Sequence, residues 1–483
     1  MTRALLLSTA LILAACAETG APDTTRAEAP AAAETAAETP QFPAELVALK
    51  QRALDEKYGY AIVEGLTTEI GARLAGTEEE ARARDWTVAK FEEIGLQNVR
   101  IEPFNIPGWE RGLEEAFIVE PYPQQVLLTA LGGSVATPSG GVTAPVAFFP
   151  TFDALEASED DLSGKIVYIG GLMEKAPDGA GYGPANRKRQ RGATEGAKRG
   201  ALAVVIRSVG TDSHRFPHTG QMRYDPDYPK IPIAALSAPD ADQMERIFAR
   251  GQEVVMSLEI SPIATGDRPS GNVIGEIVGS ERPEEIVLIG GHLDSWDLGT
   301  GAIDDGAGIG VSAGAAQAII EAGIQPKRTI RVVAFGAEEV GLLGAFAYAE
   351  AHKGELASHV MATESDFGAE RPYGVHTTVP EGREHIQMAA DMMGLPLIEQ
   401  MTSGGPDIIP LANAGVPTMR FQQDGTDYFD LHHTPDDTLD KIDPDALAVN
   451  TAAFAVLAVL AANADEDFRA DGDDTDMTNT PGQ

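Results

Sequence analysis

Cysteine is almost absent from this chain of 483 residues, which carries a single one, at position 16. An intrachain disulfide needs two cysteines and is therefore excluded. Small exported domains commonly rely on disulfides where the core alone is insufficient. If this chain is exported, its stability has to come from core burial and from bound metal.

Positive charge and long apolar runs are also scarce. Asp and Glu number 74 against 36 Lys and Arg, which gives a formal net charge of −38. Such a surface repels phosphates, so we expect no nucleic-acid partner and no adhesion to anionic lipid by charge alone. The apolar run at 452–462 is too short to span a bilayer and is predicted to be a core-facing helix. With 43% hydrophobic residues, 51 Gly and 31 Pro, the composition is that of a loop-rich globular α/β protein.

The N-terminus has the pattern of an export signal. A short basic start and the apolar run 4–14 lead to LAAC at 13–16, which resembles a bacterial lipobox. In this interpretation residues 1–15 are a signal peptide and Cys16 is lipidated; the alternative is an ordinary cleaved signal. Residues 16–42 are dominated by Ala, Glu, Thr and Pro and are predicted to be a flexible tether. We expect an exported, membrane-anchored lipoprotein that contacts the membrane only through Cys16 and faces the periplasm or the cell exterior.

The rest of the chain divides by pattern. Residues 43–129 begin with helical spacing at 45–66 and 78–94 and continue into a strand. Residues 130–263 are rich in short strands and are predicted to be an inserted second domain. From 264 to 465 strands alternate with helices, which predicts an α/β fold with a mixed, largely parallel central sheet flanked by helices. Residues 466–483 are predicted to be an acidic, disordered tail.

Imidazole and carboxylate side chains gather where strands of the 264–465 segment end, the edge at which parallel sheets collect functional groups. His292 follows the buried strand 285–290, and the pair Glu338 and Glu339 follows the strand 329–335. The other candidates are Asp294, Asp304, Asp366 and His433. Ligands of this kind without thiolates suit zinc, with cobalt or manganese as alternatives.

These side chains fit hydrolytic chemistry. Hydrolysis of an amide near neutral pH needs an activated water, which two divalent ions that share one carboxylate can supply. Asp294 is the obvious carboxylate to fix the tautomer of His292. Of the consecutive glutamates Glu338 and Glu339, one can bind metal while the other takes a proton from the water.

Motifs along nearly the whole mature chain resemble one family. They are GARLAGT at 71–77, IPGWERG at 106–112, PHTG at 217–220, GHLDSWD at 291–297 and ESD at 364–366. This set resembles the co-catalytic di-zinc exopeptidases of the aminopeptidase and glutamate carboxypeptidase superfamily, most closely the plasma glutamate carboxypeptidase (carboxypeptidase Q) branch. DLSGKIV at 161–167 is similar to a protease-associated domain, which this family inserts into its catalytic domain. The resemblance thus implies a catalytic domain in two parts, 43–129 and 264–465, around a β-rich protease-associated insert at 130–263.

Carried over by position, the resemblance also implies a site with two zinc ions. The implied metal ligands are His292 and Asp366 for one ion, Glu339 and His433 for the other, and Asp304 as the bridge. The implied catalytic residues are Glu338 as general base and Asp294 beside His292.

Three assignments near the site depend on finer detail. His433 is preferred to His432 because HTPDDTL at 433–439 matches the family pattern His-Thr-x-x-Asp-Thr-Leu. His432 is then a packing residue or one that supports the ligands from behind, and Asp305 shapes the turn after the bridging position. SGGPD at 403–407 follows the substrate-side loop of the family only loosely, so recognition of the peptide termini stays open. His218 is interpreted as an idle loop residue, with a place at the border of the cleft as the alternative.

The resemblance implies a zinc-dependent exopeptidase that cleaves dipeptides or short peptides with free termini through a metal-bridging hydroxide. Short peptides are the expected partners, and the family favours a homodimer. Two enzyme alternatives are a broad-specificity aminopeptidase and a metal-dependent hydrolase of another amide. A third alternative, a non-catalytic binding lipoprotein, would have a replaced ligand, and none is replaced here.

Overall fold

The computed structural model describes residues 42–379, 383–398, 400–466 and 468–469. The predicted signal peptide and the predicted tether up to residue 41 lie outside the described residues. The helices are α1 Ala44–Glu56, α2 Tyr58–Glu69, α3 Glu78–Glu93, α4 Phe152–Glu156, α5 Tyr182–Lys198, α6 Ala238–Phe248, α7 Ala307–Glu321, α8 Leu343–Ala351, α9 Glu384–Met393, α10 Ile409–Asn413, α11 Tyr428–Leu431 and α12 Pro444–Asn463. The strands are β1 Gln97–Glu110, β2 Glu114–Glu120, β3 Gln124–Val126, β4 Leu128–Ala130, β5 Val142–Phe149, β6 Ile166–Ile169, β7 Ala203–Arg207, β8 Ile233–Leu236, β9 Val255–Ile260, β10 Ile263–Ile277, β11 Arg282–His292, β12 Arg328–Phe335, β13 His359–Glu364, β14 Pro372–Thr377, β15 Leu397–Ile398 and β16 Met419–Gln423.

The central sheet has the strand order β1-β10-β12-β11-β13. β11 pairs in parallel with β12 and β13, whereas β10 pairs antiparallel with β1 and β12. Helices cover both faces of this sheet, as the alternate residues of β11 show by packing into two different apolar clusters. Val287 and Ile289 pack with residues of α7 and α12, and Ile286 and Leu288 pack with residues of α8 and α10. The predicted mixed α/β sheet flanked by helices is confirmed, and its parallel part is the three strands β12, β11 and β13.

A second sheet is inserted between two paired strands of the first. β1 and β10 are neighbours, and their ladder ends where Glu110 faces Ile263. The chain between these two positions forms a mixed sheet with the order β3-β2-β9-β5-β6-β7-β8-β4. This sheet begins at Glu114, before the boundary at 130 that the sequence pattern suggested, because β2 pairs with the distant β9. Its assignment as a protease-associated domain stays a prediction.

Two predicted helices differ in extent from those observed. The helix expected over 45–66 is two helices, α1 and α2, because Lys57 between them adopts a left-handed conformation with φ 52° and ψ 40°. The core helix expected at 452–462 is the longer α12. By length and composition α12 could cross a membrane, but 89% of its apolar window is buried inside the fold. Burial, and not shortness, therefore identifies α12 as a core helix.

The ordered chain also extends past the predicted start of the tail at residue 466. Phe468 is fully buried, with the Arg328 guanidinium 5.9 Å from the centre of its ring. Arg469 donates hydrogen bonds to the carbonyl oxygens of Leu356 and His359. These contacts attach the chain end to the core as far as residue 469, while residues 470–483 lie outside the described residues.

Candidate metal centre

The parallel strands bring the predicted ligands to one edge of the central sheet. His292 is the last residue of β11 and pairs with Phe335, the last residue of β12. Gly290 of β11 pairs with Glu364, the last residue of β13. The chain therefore leaves all three strands at the same edge, and the segments that carry Glu339 and Asp366 start beside His292.

Asp304 lies between two histidines and faces each with a different oxygen. Its Oδ1 is 3.1 Å from His292 Nε2, and its Oδ2 is 3.2 Å from His433 Nε2. Two further carboxylates complete the two sides. Asp366 Oδ1 is 3.8 Å from His292 Nε2, and Glu339 Oε2 is 3.0 Å from His433 Nε2. The result is two groups, each with one imidazole and one carboxylate of its own, that share Asp304.

This donor set fits two divalent cations. Asp304 and Glu339 are buried, and Asp304 Oδ2 and Glu339 Oε1 form no hydrogen bond with the described residues. A buried charged oxygen without a partner is costly unless it is paired or coordinates metal. Burial and the neighbouring Asp304 carboxylate raise the pKa of Glu339 well above its usual range. Bound divalent cations would remove this repulsion, since they favour the ionised carboxylates.

The tautomer of His292 is set by a main-chain group. Its Nδ1 is 2.9 Å from the carbonyl oxygen of Asp294, which only accepts, so Nδ1 carries the proton and Nε2 is free to bind metal. The carboxylate of Asp294 is farther away, with Oδ1 3.8 Å from Nδ1. This carboxylate forms no hydrogen bond with the ring, so its role in orienting His292 stays a prediction. Asp305 fixes the main chain of His292, since its Oδ2 accepts from the His292 N–H at 3.0 Å.

The Asp294 carboxylate instead holds the turn with the two glutamates. Its oxygens accept from the N–H groups of Glu338 at 3.0 Å and of Glu339 at 3.2 Å. The preceding Ala337 has a positive φ of 59°, so the chain reverses sharply after β12. Glu339 is buried, whereas Glu338 is half-buried and its carboxylate forms no hydrogen bond among the described residues. Burial raises the pKa of Glu338 well above its usual range, against the opposing effect of His292.

The two adjacent histidines are distinguished by geometry. Their rings stack, with centroids 3.4 Å apart. His432 Nε2 is 3.7 Å from Asp304 Oδ2, so a group of Asp304, His432 and His433 is also sterically able to hold an ion. His433 is nearer to Asp304 and also lies 3.0 Å from Glu339, whereas His432 Nδ1 is buried without a hydrogen bond among the described residues. Burial lowers the pKa of both imidazoles, which favours the neutral form that binds metal.

Two motif residues outside the ligand set position the bridging turn. Asp437 Oδ1 accepts from the N–H groups of Ala302 at 2.8 Å and Ile303 at 2.7 Å, directly before Asp304. Arg73 is fully buried and donates to the carbonyl oxygens of Thr300 and Gly301 at 2.6 and 2.8 Å, and to that of Leu293. The motifs at 71–77 and 433–439 thus fix the loops of His292 and Asp304.

A loop of the second sheet holds the segment that carries His433. The Thr219 N–H donates to the His433 carbonyl oxygen at 3.1 Å, and His218 Nδ1 lies 2.7 Å from the His432 carbonyl oxygen. The other ring nitrogen of His218 is 2.8 Å from Asp212 Oδ1. Both ring nitrogens of His218 are thus engaged, one with the main chain before His433 and the other with Asp212. His218 is therefore not an idle loop residue. The sequence showed its motif, PHTG, but not its contact with the segment that carries His433.

The SGGPD loop packs behind the centre against β13. Glu364 Oε2 accepts from the Asp407 N–H at 2.8 Å, and both side chains are buried. Gly405 has a φ of 133°, and a Cβ there would lie 2.5 Å from the Glu364 side chain. This glycine therefore permits a close approach that a larger residue would block.

Comparison with known proteins agrees with this geometry. The model of peptidase family M28 matches residues 272–458. Carboxypeptidase Q of Mus musculus is 37% identical over 404 residues, which cover 83% of this chain and 85% of that protein. The chain belongs to peptidase family M28. A peptidase M28 precursor from Shewanella amazonensis has a crystal structure with a TM-score of 0.86 and 46% identity, covering 88% of this chain and 98% of that one.

Membership of family M28 confirms several predictions made from sequence. The chain is a metallo-exopeptidase of the co-catalytic zinc type, and carboxypeptidase Q is among its relatives. A zinc aminopeptidase from Bacillus subtilis shares the fold, with a TM-score of 0.61 at 24% identity over 86% of this chain and 98% of that one. Zinc as the cofactor agrees with the groups of potential ligands around Asp304. The individual ligand and base assignments stay predictions that the distances above support.

Proposed function

We propose that this M28 peptidase hydrolyses dipeptides or short peptides with free termini. The observation that carries the proposal is the position of Asp304, with one oxygen toward His292 and the other toward His433. One carboxylate shared by two imidazole sites is the arrangement that a two-metal hydrolase needs. Both predicted catalytic side chains, Glu338 and Asp294, are next to it.

The mechanism assigns separate tasks to the residues of the centre. His292, Asp366, Glu339, His433 and the bridging Asp304 would hold two zinc ions, which when bound supply Lewis acidity and lower the pKa of water. Glu338 accepts a proton from the attacking water and passes it to the leaving amine, because its carboxylate forms no hydrogen bond with the residues that the structure describes. Asp294 is a positioning residue, which holds Glu338 and Glu339 in one turn through their main-chain N–H groups.

Two alternatives keep the same metal centre but change the substrate. A broad-specificity aminopeptidase is favoured by the shared fold with the zinc aminopeptidase, and a hydrolase of another amide uses the same chemistry. A binding protein without activity is disfavoured, because every predicted ligand is present and within 3.8 Å of another ligand.

The deciding experiment is a cleavage assay on the chain from residue 17 onward. The substrates are one free dipeptide and the same dipeptide blocked at the N-terminus, at the C-terminus or at both. The assay is run with and without chelator and with Glu338→Gln. Metal-dependent cleavage of only the doubly free dipeptide, lost in the variant, supports the proposal. Cleavage of C-terminally blocked substrates at the same rate would favour the aminopeptidase, and no cleavage by protein that has bound two zinc ions would favour another amide.

We also propose that the protein is exported and anchored through a lipidated Cys16, that its membrane contact is limited to this anchor, and that it forms a homodimer. The lipobox-like LAAC at 13–16 supports the anchor. Labelled fatty acid should enter the wild-type chain and not Cys16→Ser, which should be released from membranes. A mass measurement by light scattering tests the dimer.

A further inference from the structure

Arg420 is a cation near the metal centre that has no ion-pair partner among the described residues. It lies on β16, opposite His376 of β14, and is half-buried. A guanidinium carries five N–H donors, yet this one forms no hydrogen bond or ion pair with the described residues. The chain has an excess of acidic groups, 74 against 36 basic ones, so carboxylate partners are not scarce in general.

The ring of Phe367 packs against Arg420 beside the ligand Asp366. Its guanidinium carbon is 5.2 Å from the centre of the Phe367 ring, and Phe367 directly follows Asp366 in the chain. The Phe367 ring is itself fixed, because a Cβ on Gly425 would lie 2.1 Å from it and one on Gly179 would lie 2.8 Å from it. A cation stacked on a fixed ring keeps its donors in a defined plane.

The charges around Arg420 agree with this placement. Burial lowers the pKa of Arg420, and the acidic groups that oppose the shift most strongly are Asp366 and Glu364. Glu364 is occupied by the Asp407 N–H, and Asp366 faces His292 in the predicted metal site. The guanidinium is thus close to both carboxylates while neither forms an ion pair with it.

We propose that Arg420 binds the C-terminal carboxylate of the substrate and thereby selects dipeptides and short peptides whose C-terminus is free. Bidentate pairing with a carboxylate matches the planar fork of arginine. Two extended residues span about 7 Å, so a dipeptide is short enough for its carboxylate to stay near the centre, and Arg420 lies over the ring of Phe367, the residue after the ligand Asp366. The proposal rests on the peptidase function above and makes Arg420 a specificity-determining residue.

The test compares alanyl-alanine with alanyl-alanine amide for wild type, Arg420→Gln and Arg420→Lys. Wild type should prefer the free acid by about 10- to 100-fold in kcat/KM, the range expected for a charge-assisted contact. Arg420→Gln should lose this preference through KM for the free acid, with the amide unchanged. Arg420→Lys should restore part of it, because lysine supplies charge without the fork. Arg82→Gln, on the exposed side of α3, is the matched control.

Two further measurements keep the inference separable from the proposed function. Zinc content should be equal in all variants, which excludes a general loss of structure. Binding of both dipeptides to Glu338→Gln, with and without Arg420→Gln, is measured by calorimetry without turnover. Carboxylate-dependent binding without hydrolysis in wild type would overturn the proposed function and keep the role of Arg420. Equal binding of acid and amide, or an equal loss for both in Arg420→Gln, would overturn the role of Arg420.

Discussion

Replacement of His218 by alanine should weaken one of the two zinc sites and leave the other nearly intact. His218 belongs to the inserted sheet, yet its ring holds the carbonyl oxygen of His432, the residue before the predicted ligand His433. His433 has a positive φ of 61°, a backbone conformation that needs support from its surroundings. His292 makes no hydrogen bond with this loop.

The size of the effect follows from the lost contact. Without His218 the buried carbonyl oxygen of His432 loses its donor, which costs about 1 to 3 kcal/mol. If the apo protein relaxes at this point and the zinc-bound state cannot, that energy corresponds to about 5- to 150-fold weaker binding of one ion. Loss of an outer-shell partner commonly costs about 10- to 100-fold in metal affinity, which agrees with this range.

Zinc affinity is best measured by competition with a chromogenic chelator, together with the zinc content after dialysis. We expect His218→Ala to retain one tightly bound ion and lose the second at lower chelator concentration. Asp212→Asn should give a smaller loss, because its amide oxygen can still accept from the far nitrogen of His218 but carries no charge. Ser213→Ala in the same loop is the control, since Ser213 is exposed and its side chain forms no hydrogen bond with the described residues. Equal weakening of both ions, or unchanged affinity with only a lower melting temperature, would refute the reasoning.

Four further predictions concern the centre and the fold. Glu338→Gln should lower kcat by about 100- to 10,000-fold, as expected for loss of a general base, with unchanged zinc content by elemental analysis. Asp294→Asn should lower kcat by at least about 10-fold with little change in KM, because its amide cannot accept from both the Glu338 and Glu339 N–H groups. Chelation of zinc should lower the melting temperature in calorimetry, and addition of zinc should restore it, since ligands that bind only the folded state stabilise it. Burial lowers the pKa of Lys188 from 10.5 to about 7, so unfolding takes up a proton between these values. The free energy of unfolding in urea should therefore rise with pH above 7, by at most about 1.4 kcal/mol per unit from this group, and Lys188→Met should lack that increment.

The position of the centre was predictable because it depends on local sequence patterns. Buried β-branched runs identify β11 and β12. His292 is the last residue of β11, and the turn with Glu338 follows the end of β12. Parallel pairing brings these ends to one edge, as the register of His292 with Phe335 shows. The alternation of strands and helices was enough to predict that pairing.

The remaining features depend on contacts between residues distant in sequence. The role of Asp294 could not be read from its spacing to His292, because the carboxylate turns toward the N–H groups after β12. The start of the second sheet at Glu114 is set by pairing with β9 far along the chain. The break at Lys57 is a single left-handed residue in an otherwise helical pattern. No local periodicity encodes these three features.

The insertion of the second sheet between β1 and β10 has a consequence for the metal centre. The His433 segment is bound by the inserted sheet through Thr219 and His218, and the Thr211 hydroxyl donates to Asp430 in the preceding turn at 2.6 Å. The ligands on β11, after β12 and after β13 come from the central sheet. One side of the centre is therefore built by the central sheet alone, and the other side needs both sheets. A metal ion that binds only the assembled site stabilises the parts of the protein that form this site. Zinc on the His433 side should therefore stabilise the contact between the two sheets. Zinc on the His292 side should stabilise the central sheet alone.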